Sequence, residues 1–421
     1  MTMRRDSTAS GGLSMVALLC WAAVVLDGFD LVVLGALIPT MTDPAAPWMT
    51  TAQATAISTA SLIGMTLGAL SIGWATDRIG RRKAMLWAVG FFSVMTLGCA
   101  IAGTPFQLGV FRFLAGFGLG GCLPTAIALV TEFSRGKAGK ASTTVMTGYH
   151  VGAVATAILG LILLAPFGWR AMFLAGAIPG FVLIPLMIKL LPESPAFLLS
   201  QGRRAEAERI ASAYGLTLSE PPPKAERVSP SKLIGPGFLR NSVAIWVTSF
   251  MGLLLVYGLN TWLPALMVAA DYGLQRGLWF LLLLNVGAIV GLIVAGRVGD
   301  AIGLKRAACL WFFAGAVLLA LLAIRMPLSL LYPVVFLTGC FVFSAQVLVY
   351  AFTAANHPPE VRATAIGLSA GVGRIGAIMG PLVGGMLVSL GLGHPWGFFI
   401  FAAVGLIGAL ALSLSVVRVY R

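Results

Sequence analysis

The chain has 421 residues, 59% hydrophobic and only 10% charged, with a formal net charge of +14. A soluble domain carries roughly 25% charged residues, so a soluble fold is excluded, and the positive charge is read as membrane topology rather than as a nucleic-acid footprint. The five cysteines fall inside apolar runs without metal-ligand spacing, so no disulfide is expected.

Apolar runs long enough to cross a hydrocarbon core of roughly 30 Å recur along the whole chain. With no water in that core, each must satisfy its backbone within a helix. The spacing predicts twelve spans, at roughly 14–38, 52–75, 84–103, 107–131, 141–165, 170–190, 241–268, 276–298, 307–325, 328–354, 362–389 and 396–417. The segment Met1 to Gly12 is short, polar and basic, and no small-residue cleavage site follows it, so the first run is predicted to be a retained helix. Lys and Arg are concentrated in alternate loops, with only Arg170, Arg276 and Arg325 on the opposite side. The positive-inside bias therefore puts both termini on the cytoplasmic side of an inner membrane.

The first span carries Leu26-Asp27-Gly28-Phe29-Asp30-Leu31. A spacing of three places both carboxylates on one helix face. An ionised Asp at mid-bilayer costs about 2.5–3.5 kcal/mol on insertion scales. Desolvation and mutual repulsion are expected to raise at least one pKa toward neutrality, which would let the pair load and release a proton. The loop after the second span reads Gly73-Trp-Ala-Thr-Asp77-Arg78-Ile-Gly80-Arg81-Arg82-Lys83. The fourth span strands Arg112 among glycines and ends at Glu132, beside Arg135. A planar guanidinium matches a carboxylate with two parallel hydrogen bonds, so Arg112 calls for Asp27, Asp30 or a bound anion.

The fifth span holds Tyr149 and His150, the latter able to titrate near neutral pH or simply to pack. A long polar stretch, 192–240, contains Pro221-Pro222-Pro223 and a charged segment, with a short amphipathic helix predicted near 202–214. This linker divides the chain into an N-terminal six-helix bundle, 1–191, and a C-terminal one, 241–421. The seventh span contains Tyr257, Asn260 and Trp262, the eighth Asn285, and the tenth Phe343, Gln346 and Tyr350. After the eighth comes Gly296-Arg-Val-Gly-Asp300-Ala-Ile-Gly303-Leu-Lys305-Arg306, which keeps the Gly, Asp, Gly and basic spacing of the first loop. Arg362 opens the eleventh span and Arg374 sits near its middle. Of Arg112 and Arg374, one is expected to pair mainly with an aspartate and the other to meet substrate; the sequence leaves open which.

Two parallel six-helix halves are the architecture of a secondary transporter with its site between them. The complete G-x-x-x-D-R-x-G-R-R-K loop resembles the signature of the major facilitator superfamily, and the resemblance covers essentially the whole chain. It implies a rocker-switch carrier in which Asp77 caps a helix end of the opposite half and locks one conformation. Arg78, Arg81, Asp300 and Arg362 are further gating candidates, and Glu132 beside Arg135 is read as either part of the inner gate or a simple surface pair. The Asp-Gly-Phe-Asp motif resembles the aromatic acid:proton symporter family. So do Pro359-Glu-Val-Arg362-Ala-Thr364 running into Gly373-Arg374-Ile-Gly376, Tyr257-Gly-Leu-Asn260-Thr-Trp262-Leu-Pro264, and Pro192-Glu-Ser-Pro195.

The known members of that family carry benzoate, hydroxybenzoates and related acids. The resemblance implies that Asp27 and Asp30 couple protons while Arg112 and Arg374 are needed for transport. An aromatic acid needs apolar walls, for which Phe29, Tyr149, Tyr257, Trp262, Phe343 and Tyr350 are candidates, with His150, Asn260, Asn285 and Gln346 as polar readers. Other anions such as nicotinate or a non-aromatic carboxylate, a sugar, an exported drug, and a chemoreceptor role stand as alternatives. No nucleotide-binding loop is present, and neither a cofactor, an enzymatic site nor nucleic acid is called for. The expected partners are an aromatic carboxylate, a proton and the lipid bilayer, for a monomeric carrier.

Overall fold

The computed structural model describes residues 3–134, 138–218, 233–235 and 237–417, without the side chains of 3–14, 73, 74, 77, 138–140 and 359. Among them every regular element is helical. In chain order these are α1 Met3–Met41, α2 Thr51–Ile79, α3 Arg81–Ile101, α4 Pro105–Leu119, α5 Cys122–Glu132, α6 Ala138–Leu190, α7 Pro195–Ser200 and α8 Arg204–Tyr214. They continue with α9 Leu239–Ala269, α10 Leu274–Ile302, α11 Leu304–Leu322, α12 Leu328–Ala355, α13 Pro359–Ser389 and α14 Trp396–Ser413.

Among the described residues, eleven stretches are long and apolar enough to cross a membrane. One of them, Ala141–Leu190, is 50 residues long and is broken at Gly168, whose φ of 71° and ψ of −179° no helix contains. Counting two crossings there gives the twelve spans expected. Two details differ from expectation. The fourth span is two helices, α4 and α5, meeting at Gly120–Gly121, where the chain also approaches α2 closely: a Cβ on Gly120 would lie 2.0 Å from the Met65 carbonyl oxygen. Within the linker, α8 lies where an amphipathic helix was expected, but α7 was not foreseen. Ser194 caps α7, accepting from the Phe197 N–H at 3.0 Å, and Pro195 takes its first turn.

The chain forms two compact units. The first comprises Met1–Val33 and Ala60–Ala225; the second comprises Leu34–Thr59 and Glu226–Arg421. Within the first, glycines let backbones touch. A Cβ on Gly28 of α1 would lie 1.9 Å from the Tyr149 carbonyl oxygen, and one on Gly152 of α6 would lie 2.0 Å from that of Val25. Thr156 on α6 donates to the Phe29 carbonyl at 3.1 Å and fixes the register of this pair. In lipid, where no hydrophobic drive separates helix from tail, such small-residue contact is what holds helices together. The second unit repeats the device: Gly376 and Gly380 of α13 press on the Phe250 and Leu254 carbonyls of α9, and Gly287 of α10 on that of Phe336 in α12. Gly35, at the end of α1 that belongs to this unit, presses on the Asn260 carbonyl.

Candidate functional site

In the first unit, Asp27 and Asp30 are both buried, at 1% and 3% exposure, and Arg112 is buried at 2%. The α1–α6 glycine contact holds the aspartate-bearing turn, while α4 supplies the arginine. One guanidinium nitrogen of Arg112 donates to Asp30 Oδ1 in a buried ion pair. The other donates to the Asp30 backbone carbonyl at 2.9 Å and to Ser61 Oγ, on α2, at 3.3 Å. Charge-assisted bonds of this kind are about twice as strong as neutral ones. The structure therefore joins Arg112 to Asp30, one of the two aspartates the sequence offered. Ser61 is a participant that sequence reasoning missed, and the only hint was a polar cluster, Ser58, Thr59 and Ser61, in an otherwise apolar span. Phe29 is buried against Gly176, and Tyr149 meets His150 edge to face at 5.2 Å between ring centroids.

A second polar cluster in this unit joins the end of α5 to the start of α3 and the segment before α7. Arg81 Nε lies 3.6 Å from Glu132 Oε1, and Ser194 Oγ donates to Glu132 Oε2. Glu193 Oε1 accepts from the backbone N–H of Arg82 at 3.1 Å and of Ser194 at 2.9 Å. A carboxylate at the first turn of α3 satisfies an orphan donor there and complements the helix dipole. Glu193 and Ser194 thus do structural work that the Pro192-Glu-Ser-Pro195 motif showed only as a resemblance. Arg78 is exposed at the end of α2. The Asp77 side chain and Arg135 lie outside the described residues.

In the second unit, Arg374 on α13 donates to Tyr257 Oη on α9 at 3.2 Å. Asn285 Nδ2, on α10, donates to Asn260 Oδ1 on α9 at 3.2 Å. Gln346 is buried on α12 over Gly252, whose missing side chain leaves it room, and Tyr350 follows one turn on. Phe343 is buried on the same helix. Trp262 has no exposed surface, and its indole N–H donates to the Pro381 carbonyl at 2.9 Å. At one end of this unit an open cavity of about 950 Å³ is lined by Asp300, Lys305, Arg306 and Asn356 among others. Arg362 Nε donates to the His357 carbonyl at 3.4 Å.

Helices of membrane-spanning length, with a guanidinium–carboxylate pair sealed inside one unit and an arginine–phenol contact inside the other, define a multi-pass membrane carrier rather than a soluble binding protein. The sequence profile of the Major Facilitator Superfamily matches residues 20–373 and 279–420, and the chain belongs to that family. It is 33% identical to the benzoate transport protein of Acinetobacter baylyi, over 95% of this chain and 88% of that one. It is also 33% identical to the gallate transporter of Pseudomonas putida, over 94% and 90%. The gentisate transporter of Corynebacterium glutamicum is 33% identical over 96% and 88%. Among solved structures, the inward-open xylose transporter XylE from E. coli superposes with a TM-score of 0.75 at 15% identity, covering 95% of this chain and 96% of that one. That likeness concerns the fold alone.

Proposed function

We propose that this chain is a secondary active transporter that takes up an aromatic carboxylate, of the benzoate and hydroxybenzoate class, together with a proton. The observation that carries the reading is the buried Arg112–Asp30 pair. It commits one mid-span arginine to an aspartate, which supports the other, Arg374, as the partner of the substrate carboxylate. The named substrates of the relatives, benzoate, gentisate and gallate, are all benzene rings bearing one carboxylate.

In this reading Asp27 and Asp30 carry the proton. Protonating Asp30 weakens its hold on Arg112, and a freed guanidinium and a neutral carboxyl are the local change that accompanies a conformational step. Arg374, with Tyr257, takes the carboxylate. Phe29, Tyr149, Trp262, Phe343 and Tyr350 supply apolar wall, and His150, Asn260, Asn285 and Gln346 supply polar contacts. Asp77, Arg78, Arg81, Glu132, Arg135, Asp300 and Arg362 act at gates. The functional halves are 1–191 and 241–421, linked by 192–240. The protein works as a monomer in the inner membrane with both termini in the cytoplasm, an orientation that the distribution of Lys and Arg supports.

The test is uptake of labelled benzoate into proteoliposomes under an inward proton gradient. The expected result is accumulation that an uncoupler abolishes and that Arg374→Lys reduces by at least about tenfold in kcat/KM, because an ammonium cannot reproduce the bidentate fork. Accumulation that survives the uncoupler defeats symport.

A further inference from the structure

The polar readers in the second unit carry a statement about the ring itself. Asn260 and Asn285 are both without exposed surface. Asn285 Nδ2 donates twice, to the Leu281 carbonyl at 3.0 Å and to Asn260 Oδ1 at 3.2 Å. These two bonds fix both amide orientations: flipping Asn285 would set its oxygen against the Leu281 carbonyl and the Asn260 oxygen. What remains is one donor group, Asn260 Nδ2, and one acceptor, Asn285 Oδ1, neither with a hydrogen-bond partner among the described residues. In an apolar bundle such groups are expensive to leave unmet.

A donor beside an acceptor complements a hydroxyl, which both gives and takes a hydrogen bond. It does not complement a carboxylate, which only accepts, nor a bare C–H edge. The position along α9 adds a direction. Tyr257, bonded to Arg374, precedes Asn260 by three residues, so the two share a helix face about 4.5 Å apart in rise. That separation is of the order of a benzene ring.

We propose that the Asn260–Asn285 amide pair is a hydroxyl subsite, and that this transporter selects ring-hydroxylated aromatic acids whose hydroxyl lies away from the carboxylate, in the 3 or 4 position. Asn285 Oδ1 accepts the phenolic O–H, and Asn260 Nδ2 donates to the phenolic oxygen. This rests on the reading of Arg374 as the carboxylate's partner. A site built to bond a hydroxyl rejects the analogue lacking it more strongly than an apolar pocket rejects an added one.

The test is competition against labelled benzoate uptake by the full-length protein in proteoliposomes, using unlabelled benzoate and 2-, 3- and 4-hydroxybenzoate. The expected result is that the 3- or 4-hydroxy acid inhibits at a concentration at least about tenfold lower than benzoate or 2-hydroxybenzoate. In Asn285→Leu and Asn260→Leu that ratio falls toward one. The wild-type panel decides by itself if either variant fails to fold. Equal inhibition by all four acids, a preference for the 2-hydroxy acid, or a 4-hydroxy preference that persists in both variants overturns the subsite while leaving carriage of aromatic acids intact. Benzoate that is neither carried nor bound overturns the subsite together with the reading beneath it.

Discussion

Removing either side chain of the Arg112–Asp30 pair strands its partner's charge in the middle of a helix bundle. Breaking such a pair from one side costs about 3–5 kcal/mol, whereas replacing both members with apolar residues is often close to neutral. Asp30→Asn or Arg112→Leu alone is therefore expected to lower the thermal stability of the purified protein sharply. The double variant Asp30→Leu with Arg112→Met is expected to recover much of that stability but no proton-driven uptake. Thermal unfolding beside uptake separates the two effects; recovery of transport in the double variant would remove the pair from the coupling mechanism. Asp30 and Arg112 were both legible as candidates, because ionisable groups inside a span are rare. Their pairing was not, since 82 residues separate them and only the α1–α4 geometry brings them together. Ser61, hinted at only by a polar cluster in its span, could not be singled out for the same reason.

At the scale of elements, the spans could be read because hydropathy and length decide them, while the breaks could not, because neither hydropathy nor length registers a local turn of the backbone. Gly120 and Gly168 look alike in sequence, yet one is pinned against α2 and the other faces open space. Gly168 should therefore respond differently to substitution from the contact glycines. Gly152→Val drives a side chain into the Val25 carbonyl at the α1–α6 crossing and is expected to abolish folded protein. Gly168→Ala meets no neighbour, but its φ of 71° with an extended ψ belongs to a region essentially restricted to glycine, so it is expected to cost about 1–3 kcal/mol. Gly367→Ala, within α13 and with nothing within 4 Å, is expected to be neutral or stabilising by up to about 1 kcal/mol. Size-exclusion profiles and melting temperatures of the three variants should fall in that order; a well-folded Gly152→Val would show that α1 and α6 can separate without loss.

Across the whole molecule, the repeated loop motif performs the same backbone task in each unit. Gly80 and Gly303 both end a helix with φ near +90°, at 95° and 91°, which explains the glycine at that place in both copies. Two residues later in each copy stands a basic side chain, Arg82 and Lys305. Arg82 donates to the Ile188 carbonyl at the end of α6. Lys305 Nζ donates to the Ser413 and Ser415 carbonyls at the end of α14, at 2.9 and 2.6 Å. Each thus satisfies the orphan carbonyls, and opposes the dipole, at the C-terminus of the last spanning helix of its own repeat. The spacing of the motif was readable without the structure; which carbonyls its cations serve was not, because the acceptors lie more than a hundred residues away. The equivalence predicts matched losses: Arg82→Met and Lys305→Met should each lower stability by about 1 kcal/mol, the modest value expected of partly exposed charges. Since the two bonds lie in different units and share no residue, the double variant should show the sum of the single effects. Thermal unfolding of the three variants measures this, and a double variant no worse than either single one would show that the two cations do not cap their helices independently.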